Sequence, residues 1–186
     1  APPAARRLVP ATPLRSRQAS AQQVPNQAVP GVTNFAKLET TIACGGATTP
    51  GAVPELKKMG YASIVNMRLA NETGANVEGE EAAAKAANIR YYHIPFSGAA
   101  PDPAVADQFI KTITAPENNP AYIHCASGNR VSAMWMIKRM VVDHWDADKA
   151  YTEANARGPT SPATKPFAID YATTHQRTSA MNELTD

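Results

Sequence analysis

A cysteine and an arginine five positions apart are the residues of this sequence best suited to chemistry, in the segment AYIHCASGNRVSAM at 121–134. Cys125 follows an apolar, β-prone stretch, and Arg130 precedes an apolar run that predicts a buried helix. A loop leading from a strand into a helix offers N–H groups and partial positive charge, so it attracts anions and stabilises a thiolate. Gly128 permits the tight turn, and the planar guanidinium can hold two oxygens of one anion. The segment therefore predicts a nucleophile inside an oxyanion-binding loop.

The residues of this loop also have structural interpretations. A free cysteine is usually a small buried hydrophobe, and only the ordered succession of strand, cysteine, glycine turn, arginine and helix favours a nucleophile at Cys125. His124 either orients the loop and contributes to substrate binding, or fills the end of its strand. Cys44 is either a buried core residue or, if close to Cys125, a partner for a regulatory disulfide. The candidate substrate-binding residues of the loop are Ala126, Ser127, Gly128 and Asn129.

The elements around the loop predict an α/β domain. Stretches at 40–46, 61–69, 89–96 and 121–124 have the composition of strands, and helical patterns lie between and after them. Strands that alternate with helices at this spacing form a mainly parallel sheet that is covered on both faces. Ligands of such sheets bind at the carboxyl ends of the strands, which is where Cys125 falls.

A second arginine is expected at the same edge of the sheet. Arg68 ends the 61–69 strand, so its side chain should reach the crevice that Cys125 faces. There it would either contact an anionic substrate or form an ion pair with Glu72. We include Arg68 among the candidate substrate-binding residues.

Composition excludes several classes of protein. The first 38 residues hold five of the 18 Lys and Arg side chains and no acid, so the rest of the chain is mildly acidic. Because the basic residues neither cluster nor alternate with aromatics, no nucleic-acid partner is expected. No apolar run is long enough to span a membrane, and two separate cysteines with isolated histidines predict neither a metal site nor a cofactor.

The length of 186 residues suits one domain. We place this domain at 36–180, because residues 1–35 are rich in Pro, Ala and Arg, lack a hydrophobic period, and so predict a disordered tail. The chain starts with Ala rather than Met, which fits removal of a secretory signal and predicts a periplasmic or secreted protein. An organelle transit segment and a trimmed cytoplasmic protein are the alternatives.

Three stretches together resemble a known family: GGATTPGAVPELKKMGYASIVNMR, YYHIPFSG and YIHCASGNR. About residues 36–145 are similar to the beta-lactamase-hydrolase-like, phosphatase-like domain family, a bacterial branch related to the dual-specificity protein tyrosine phosphatases. The resemblance implies the cysteine phosphatase fold, with a central, mostly parallel sheet of four or five strands flanked by helices. It also implies Cys125 as nucleophile, the 126–130 backbone with Arg130 as oxyanion site, and phosphate or another oxyanion as ligand.

Three positions depart from the phosphatase pattern. The loop CASGNR places four residues between cysteine and arginine, where protein tyrosine phosphatases have five, and this shorter length is that of rhodanese-type sulfurtransferases. Val131 stands where phosphatases usually carry Ser or Thr to help the thiolate leave. Gly98 stands where the general-acid aspartate is expected, and Asp102 is the nearest acid. Asp102 acts as this acid or caps the helix that starts at Pro103.

The leading hypothesis is a cysteine-dependent, protein tyrosine phosphatase-like hydrolase that acts on a phosphorylated protein or a small oxyanionic compound. Its expected catalytic residues are Cys125, Arg130 and Asp102. One alternative is a sulfurtransferase that carries a persulfide on Cys125, since sulfur transfer needs an anion cradle but no strong general acid. The other alternative is a catalytically idle module that binds anions or partners.

Overall fold

The computed structural model describes residues 27–158 and 161–183. The strands are β1 (Ala36–Glu39), β2 (Ile42–Gly45), β3 (Ser63–Asn66), β4 (Arg90–His93) and β5 (Ala121–His124). The α-helices are α1 (Val53–Lys58), α2 (Val77–Ala86), α3 (Pro103–Thr114), α4 (Asn129–Val141), α5 (Ala147–Arg157) and α6 (Thr164–Glu183). Short 3₁₀ turns cover Pro50–Ala52 and Pro116–Asn118.

The five strands form one sheet in the order β1-β2-β5-β3-β4. The central strand β5 pairs in parallel with β2 and β3, β3 pairs in parallel with β4, and β1 joins the edge antiparallel to β2. Every residue of β2, β3 and β5 is buried, as expected for parallel strands with helices on both faces. The predicted α/β fold, with a mostly parallel sheet of four or five strands flanked by helices, is confirmed.

Two apolar cores cover the two faces of the sheet. Neighbouring residues of β5 point to opposite faces, so Tyr122 packs in one core with Leu56 of α1. Ile123 packs in the other and larger core, which includes Phe109 of α3 and Trp135 of α4. In α4 every residue from 131 to 138 is buried, as the apolar run predicts. The loop that precedes α4 is thus held between a central strand and a central helix.

Residues 27–35 form part of the folded domain. Val29 and Phe35 are buried, the ring of Phe35 stacks on Tyr122 with a centroid separation of 5.8 Å, and Val32 forms a β-bridge with Thr48. The prediction of a tail up to residue 35 is therefore wrong for this stretch, because two apolar side chains anchor it. The rest of the predicted tail, residues 1–26, lies outside the described residues.

No helix within the described ranges is both long and apolar enough to cross a membrane. Within the same ranges, no group of three or more His, Cys, Asp and Glu side chains is arranged to hold a metal ion.

Candidate active site

The loop between β5 and α4 turns sharply at Gly128. The φ angle of Gly128 is +100°, a left-handed conformation that side chains disfavour, and no atom lies within 4 Å of the position that a Cβ would occupy. In this conformation the N–H of Gly128 donates a hydrogen bond of 3.1 Å to Sγ of Cys125. The turn therefore aims a backbone donor at the sulfur.

The strand β2 holds the other side of the loop. The N–H of Ala47 donates to the carbonyl of Ala126 at 2.8 Å, and the N–H of Cys125 donates to the carbonyl of Gly45 at 3.4 Å. Cys125 itself is fully buried under the loop, whereas Ala126, Gly128 and Asn129 are partly exposed and Ser127 is exposed. The predicted loop residues are thus assembled around the sulfur, with their outer surface toward solvent.

A glutamate fixes the guanidinium of Arg130. Nη2 of Arg130 donates to Oε2 of Glu72 at 2.8 Å, and Nη1 contacts Oε1 of the same carboxylate. Nη1 also donates to the carbonyls of Met67 at 3.3 Å and Phe96 at 3.4 Å. The hydrogen bond to Glu72 raises the pKa of Arg130, and the sulfur of Cys125 acts in the same direction. Glu72 and the two carbonyls therefore fix the orientation of the guanidinium at the end of the loop that begins at Cys125.

Arg68 has a structural role. Its guanidinium is largely buried and donates to Oε2 of Glu72 at 3.3 Å, to the carbonyl of Thr73 at 2.8 Å and to the carbonyl of Gly74 at 3.0 Å. These bonds close the loop at 69–75 and leave little of the guanidinium for a ligand. The structure favours the predicted ion pair with Glu72, and the assignment of Arg68 to substrate binding is corrected.

His124 lies beneath the loop rather than in contact with a ligand. It is fully buried, with Nδ1 3.4 Å from the carbonyl oxygen of Cys125 and Nε2 2.7 Å from Oε1 of Glu80. The other oxygen of Glu80 accepts hydrogen bonds from Asn66 at 2.8 Å and from Tyr91 at 3.1 Å. The interpretation of His124 as a residue that orients the loop is supported, and its assignment to substrate binding is corrected.

Asp102 caps a helix. It is exposed, and its Oδ1 accepts the N–H of Ala104 at 2.9 Å at the start of α3, which is the capping role that the sequence offers as the alternative to catalysis. This bond engages one of the two carboxylate oxygens of Asp102, and the structure favours the cap over the catalytic assignment. Ser132, one position after the expected hydroxyl, donates to the carbonyl of Gly128 at 3.2 Å and supports the loop backbone instead.

Cys44 lies in the strand next to Cys125. In the β2–β5 ladder it stands opposite Ile123, two positions before Cys125, and it belongs to the same apolar core. Burial raises the pKa of Cys44 to about 11, Arg157 opposes this shift, and the neighbouring sulfur of Cys125 adds to it. Cys44 is therefore held as a neutral thiol, which favours the interpretation as a buried core residue.

A cavity of about 500 Å³ opens beside Arg130. It is lined by Leu69, residues 96–99, Arg130, Ser161 and Ala163. These residues come from the loops after β3 and β4, from the start of α4 and from the connection between α5 and α6. Cys125 is not among the lining residues, and Arg130 is the residue of the 125–130 loop that lines the cavity.

Two acidic residues of this region were not predicted as parts of the site. Glu72 was expected as a partner of Arg68 only, whereas it also pairs with Arg130, 58 positions away in the sequence. Glu80 lies in an Ala- and Glu-rich helix. The only sequence signal for its burial is that it lies four positions before Ala84, so that both residues share the buried face of the helix. The two glutamates support the arginine and the histidine that flank the cysteine.

The bond between Arg130 and Glu72 makes stability depend on pH. Hydrogen bonding to Arg130 lowers the pKa of Glu72 from 4.5 to about 2, so the native state binds fewer protons than the unfolded chain. The resulting stabilisation is complete above pH 4.5 and is lost as the pH falls through about 2. The native protein should therefore exceed Glu72→Gln in thermal stability at about pH 6, with a smaller difference at about pH 3.

Glu55→Gln is the control for this measurement, because Glu55 forms a surface pair with Lys58 of the kind that contributes little. Melting curves of the three proteins at both pH values give the result. If the difference in melting temperature between the native protein and Glu72→Gln did not shrink at the lower pH, the stabilising role of the Glu72 charge would be contradicted.

Comparisons with known proteins agree with the fold. A family described as "DSP-PTPase phosphatase fused to NAD+ Kinase" matches residues 16–181. The chain is 24% identical over 123 residues to a beta-lactamase hydrolase-like protein of Xylella fastidiosa, a match that covers 65% of this chain and 28% of that protein. The chain thus spans a little over a quarter of the length of this relative. The resemblance stated from three sequence stretches is confirmed.

Solved structures share the fold at low sequence identity. The core catalytic domain of the PP-IP phosphatase SIW14 from S. cerevisiae, in complex with citrate, has a TM-score of 0.67 at 17% identity, covering 84% of this chain and 96% of that chain. P. aeruginosa TpbA, as a Cys-to-Ser variant in complex with phosphotyrosine, has a TM-score of 0.62 at 17% identity, covering 83% and 98%. Identities this low establish a common fold alone.

Proposed function

We propose that this chain, which belongs to the family described as DSP-PTPase phosphatase fused to NAD+ kinase, hydrolyses phosphate monoesters. In this proposal Cys125 is the nucleophile and Arg130 binds the oxyanion. The observation that carries the proposal is the N–H of Gly128, which donates to Sγ of Cys125 at 3.1 Å in a loop that ends at the Glu72-bound guanidinium of Arg130. Donors fixed in this way stabilise a thiolate, and they stabilise the charge that develops on a phosphoryl group in the transition state.

The chemistry requires two displacements at phosphorus. In the first, Sγ of Cys125 forms a bond to phosphorus while the bond to the leaving oxygen breaks, and that oxygen departs with the electron pair. In the second, a water oxygen attacks phosphorus, the sulfur–phosphorus bond breaks, and the thiolate and inorganic phosphate are released. Arg130 and the backbone N–H groups of 126–130 hold the phosphoryl oxygens throughout.

Ligands of the structural relatives support an oxyanion in this site. SIW14 binds citrate and TpbA binds phosphotyrosine in the structures compared above, and both ligands carry anionic oxygens. A phosphorylated protein or a small phosphorylated compound is therefore the proposed substrate, held by Arg130 beside the cavity.

Release of phosphate from para-nitrophenyl phosphate tests the proposal. The purified chain should release phosphate, and vanadate, an oxyanion that adopts the geometry of the transition state, should inhibit the reaction. Cys125→Ser protein, purified in the same way, is the control for contaminating phosphatases. Equal phosphate release by both preparations would defeat the proposal.

A sulfurtransferase is the second candidate, and one observation favours it: the four residues between Cys125 and Arg130 match the loop length of rhodanese-type enzymes. Incubation with thiosulfate, followed by intact mass measurement, distinguishes the candidates, because a persulfide on Cys125 adds the mass of one sulfur atom. If neither reaction occurs while phosphate still raises the melting temperature, the idle anion-binding module is the better description.

Gly128 should be required for turnover beyond its effect on stability. Gly128→Ala is expected to cost about 1 kcal/mol of stability, because alanine resists a φ of +100°. It should also lower kcat/KM about a hundredfold, since relaxing the turn moves an N–H donor away from the sulfur and from the phosphoryl oxygens.

Gly60→Ala is the matched control. Gly60 has a φ of +92° and, like Gly128, has nothing within 4 Å of the place that a Cβ would take, but it lies after α1 at the opposite edge of the sheet. Urea denaturation should show similar losses of stability for both variants, and kcat/KM should fall only for Gly128→Ala. Equal activities of the two variants would rule out the role of the turn.

A further inference from the structure

Three carboxyl groups on the elements around the candidate site form hydrogen bonds within the protein. Glu72 is bound by Arg130 and Arg68, and Asp102 accepts the N–H of Ala104 as a helix cap. Asp107 accepts the hydroxyl of Tyr171 at 2.6 Å. Within the described chain, none of these carboxyl groups lines the cavity beside Arg130.

The histidines of the region are engaged as well. Nε2 of His93 lies 2.8 Å from the carbonyl oxygen of Arg68, and His124 is fully buried against Glu80. The position at which a phosphatase carries its general acid holds Gly98, which lines the cavity without a side chain. Among the described residues no Asp, Glu or His lines the cavity, so none is placed in its wall to protonate a leaving oxygen.

The remaining wall of the cavity is uncharged. Among its lining residues Arg130 alone carries a charge, and Leu69 and Phe96 supply apolar surface. A leaving group that carried a second phosphate would find no further cation among these residues. The cavity thus suits a compact leaving group that carries no charge besides that of its departing oxygen.

We propose that this site hydrolyses phosphoryl compounds whose leaving group departs as a stable anion without protonation, namely phosphate esters of acidic phenols, and that it is slow with alkyl phosphates. The proposal rests on the proposed phosphatase function and adds the substrate class. When Sγ displaces the phenolate, the electron pair leaves on the phenolate oxygen, which takes its proton from solvent afterwards. A stable phenolate makes this possible with no general acid.

The test is a comparison of kcat/KM for three substrates: para-nitrophenyl phosphate, phenyl phosphate and benzyl phosphate. A general acid contributes about 10²–10⁴-fold for poor leaving groups, so in its absence benzyl phosphate should be slower than the nitrophenyl ester by about that factor. Phenyl phosphate, whose leaving phenol resembles tyrosine with a pKa of about 10, should fall between them. Rates within about tenfold of one another across the series would overturn the proposal.

Asp102→Asn sharpens the test, because asparagine caps a helix as well as aspartate does but cannot donate the proton. The variant is expected to match the native protein on all three substrates. A loss of about 10²-fold or more on benzyl and phenyl phosphate, with para-nitrophenyl phosphate spared, would identify Asp102 as the acid and overturn the proposal. Absence of Cys125-dependent turnover on all three substrates would instead overturn the proposed phosphatase function itself.

Discussion

Replacing Cys125 by serine is expected to lower kcat for para-nitrophenyl phosphate by at least about 10⁴-fold, because removal of a nucleophile removes the covalent route altogether. Binding of phosphate should survive. Serine has nearly the same shape, and its hydroxyl can accept the N–H of Gly128 that Sγ accepts at 3.1 Å.

Two measurements on Cys125→Ser separate turnover from binding. Phosphate release reports the loss of activity, and the increase of the melting temperature with inorganic phosphate reports binding to the folded state. Loss of both would indicate that the loop has collapsed, and retention of activity would exclude the cysteine as nucleophile.

Arg130→Lys should have the second largest effect, a fall in kcat/KM of about 10²–10³-fold. Lysine keeps the charge but presents a single ammonium, whereas the guanidinium bonds to both oxygens of Glu72 and to the carbonyls of Met67 and Phe96. A lysine held by Glu72 would turn its charge away from the phosphoryl oxygens.

Arg90→Lys is the control for this exchange of side chains. Arg90 is exposed at the start of β4, at the opposite edge of the sheet, where its guanidinium donates to the carbonyl of Glu117. Steady-state kinetics on para-nitrophenyl phosphate should give the native kcat/KM for Arg90→Lys. If Arg130→Lys also retained the native value, bidentate binding by the arginine would be unnecessary.

The sequence was sufficient to predict the class of fold and the position of the loop, since both depend on local patterns. The β-prone stretch before Cys125, the glycine and the apolar run after Arg130 lie within 121–134, and the structure has β5, the turn and α4 in that order. The edge strand β1 was missed, because AKLE holds no β-branched or aromatic residue and gains its conformation by pairing with β2.

The partners of the loop could not be predicted from local patterns. Glu72 reaches Arg130 across 58 positions, and this contact depends on how the 69–75 loop is closed by Arg68. Glu80 reaches His124 from a helix whose composition is typical of an exposed surface. Such pairs follow from the packing of α2 and the 69–75 loop against the sheet, so only coordinates identify them.

Burial of both sulfurs protects the two thiols of this protein from reagents in solution. Cys125 has no exposed surface and Cys44 is 7% exposed, so peroxides and alkylating reagents in the surrounding medium cannot reach either thiol in this state. Modification of Cys125 then proceeds only through those moments when the segment above it lifts. The rate at which a thiol reagent labels this residue would therefore measure how often the protein uncovers this sulfur.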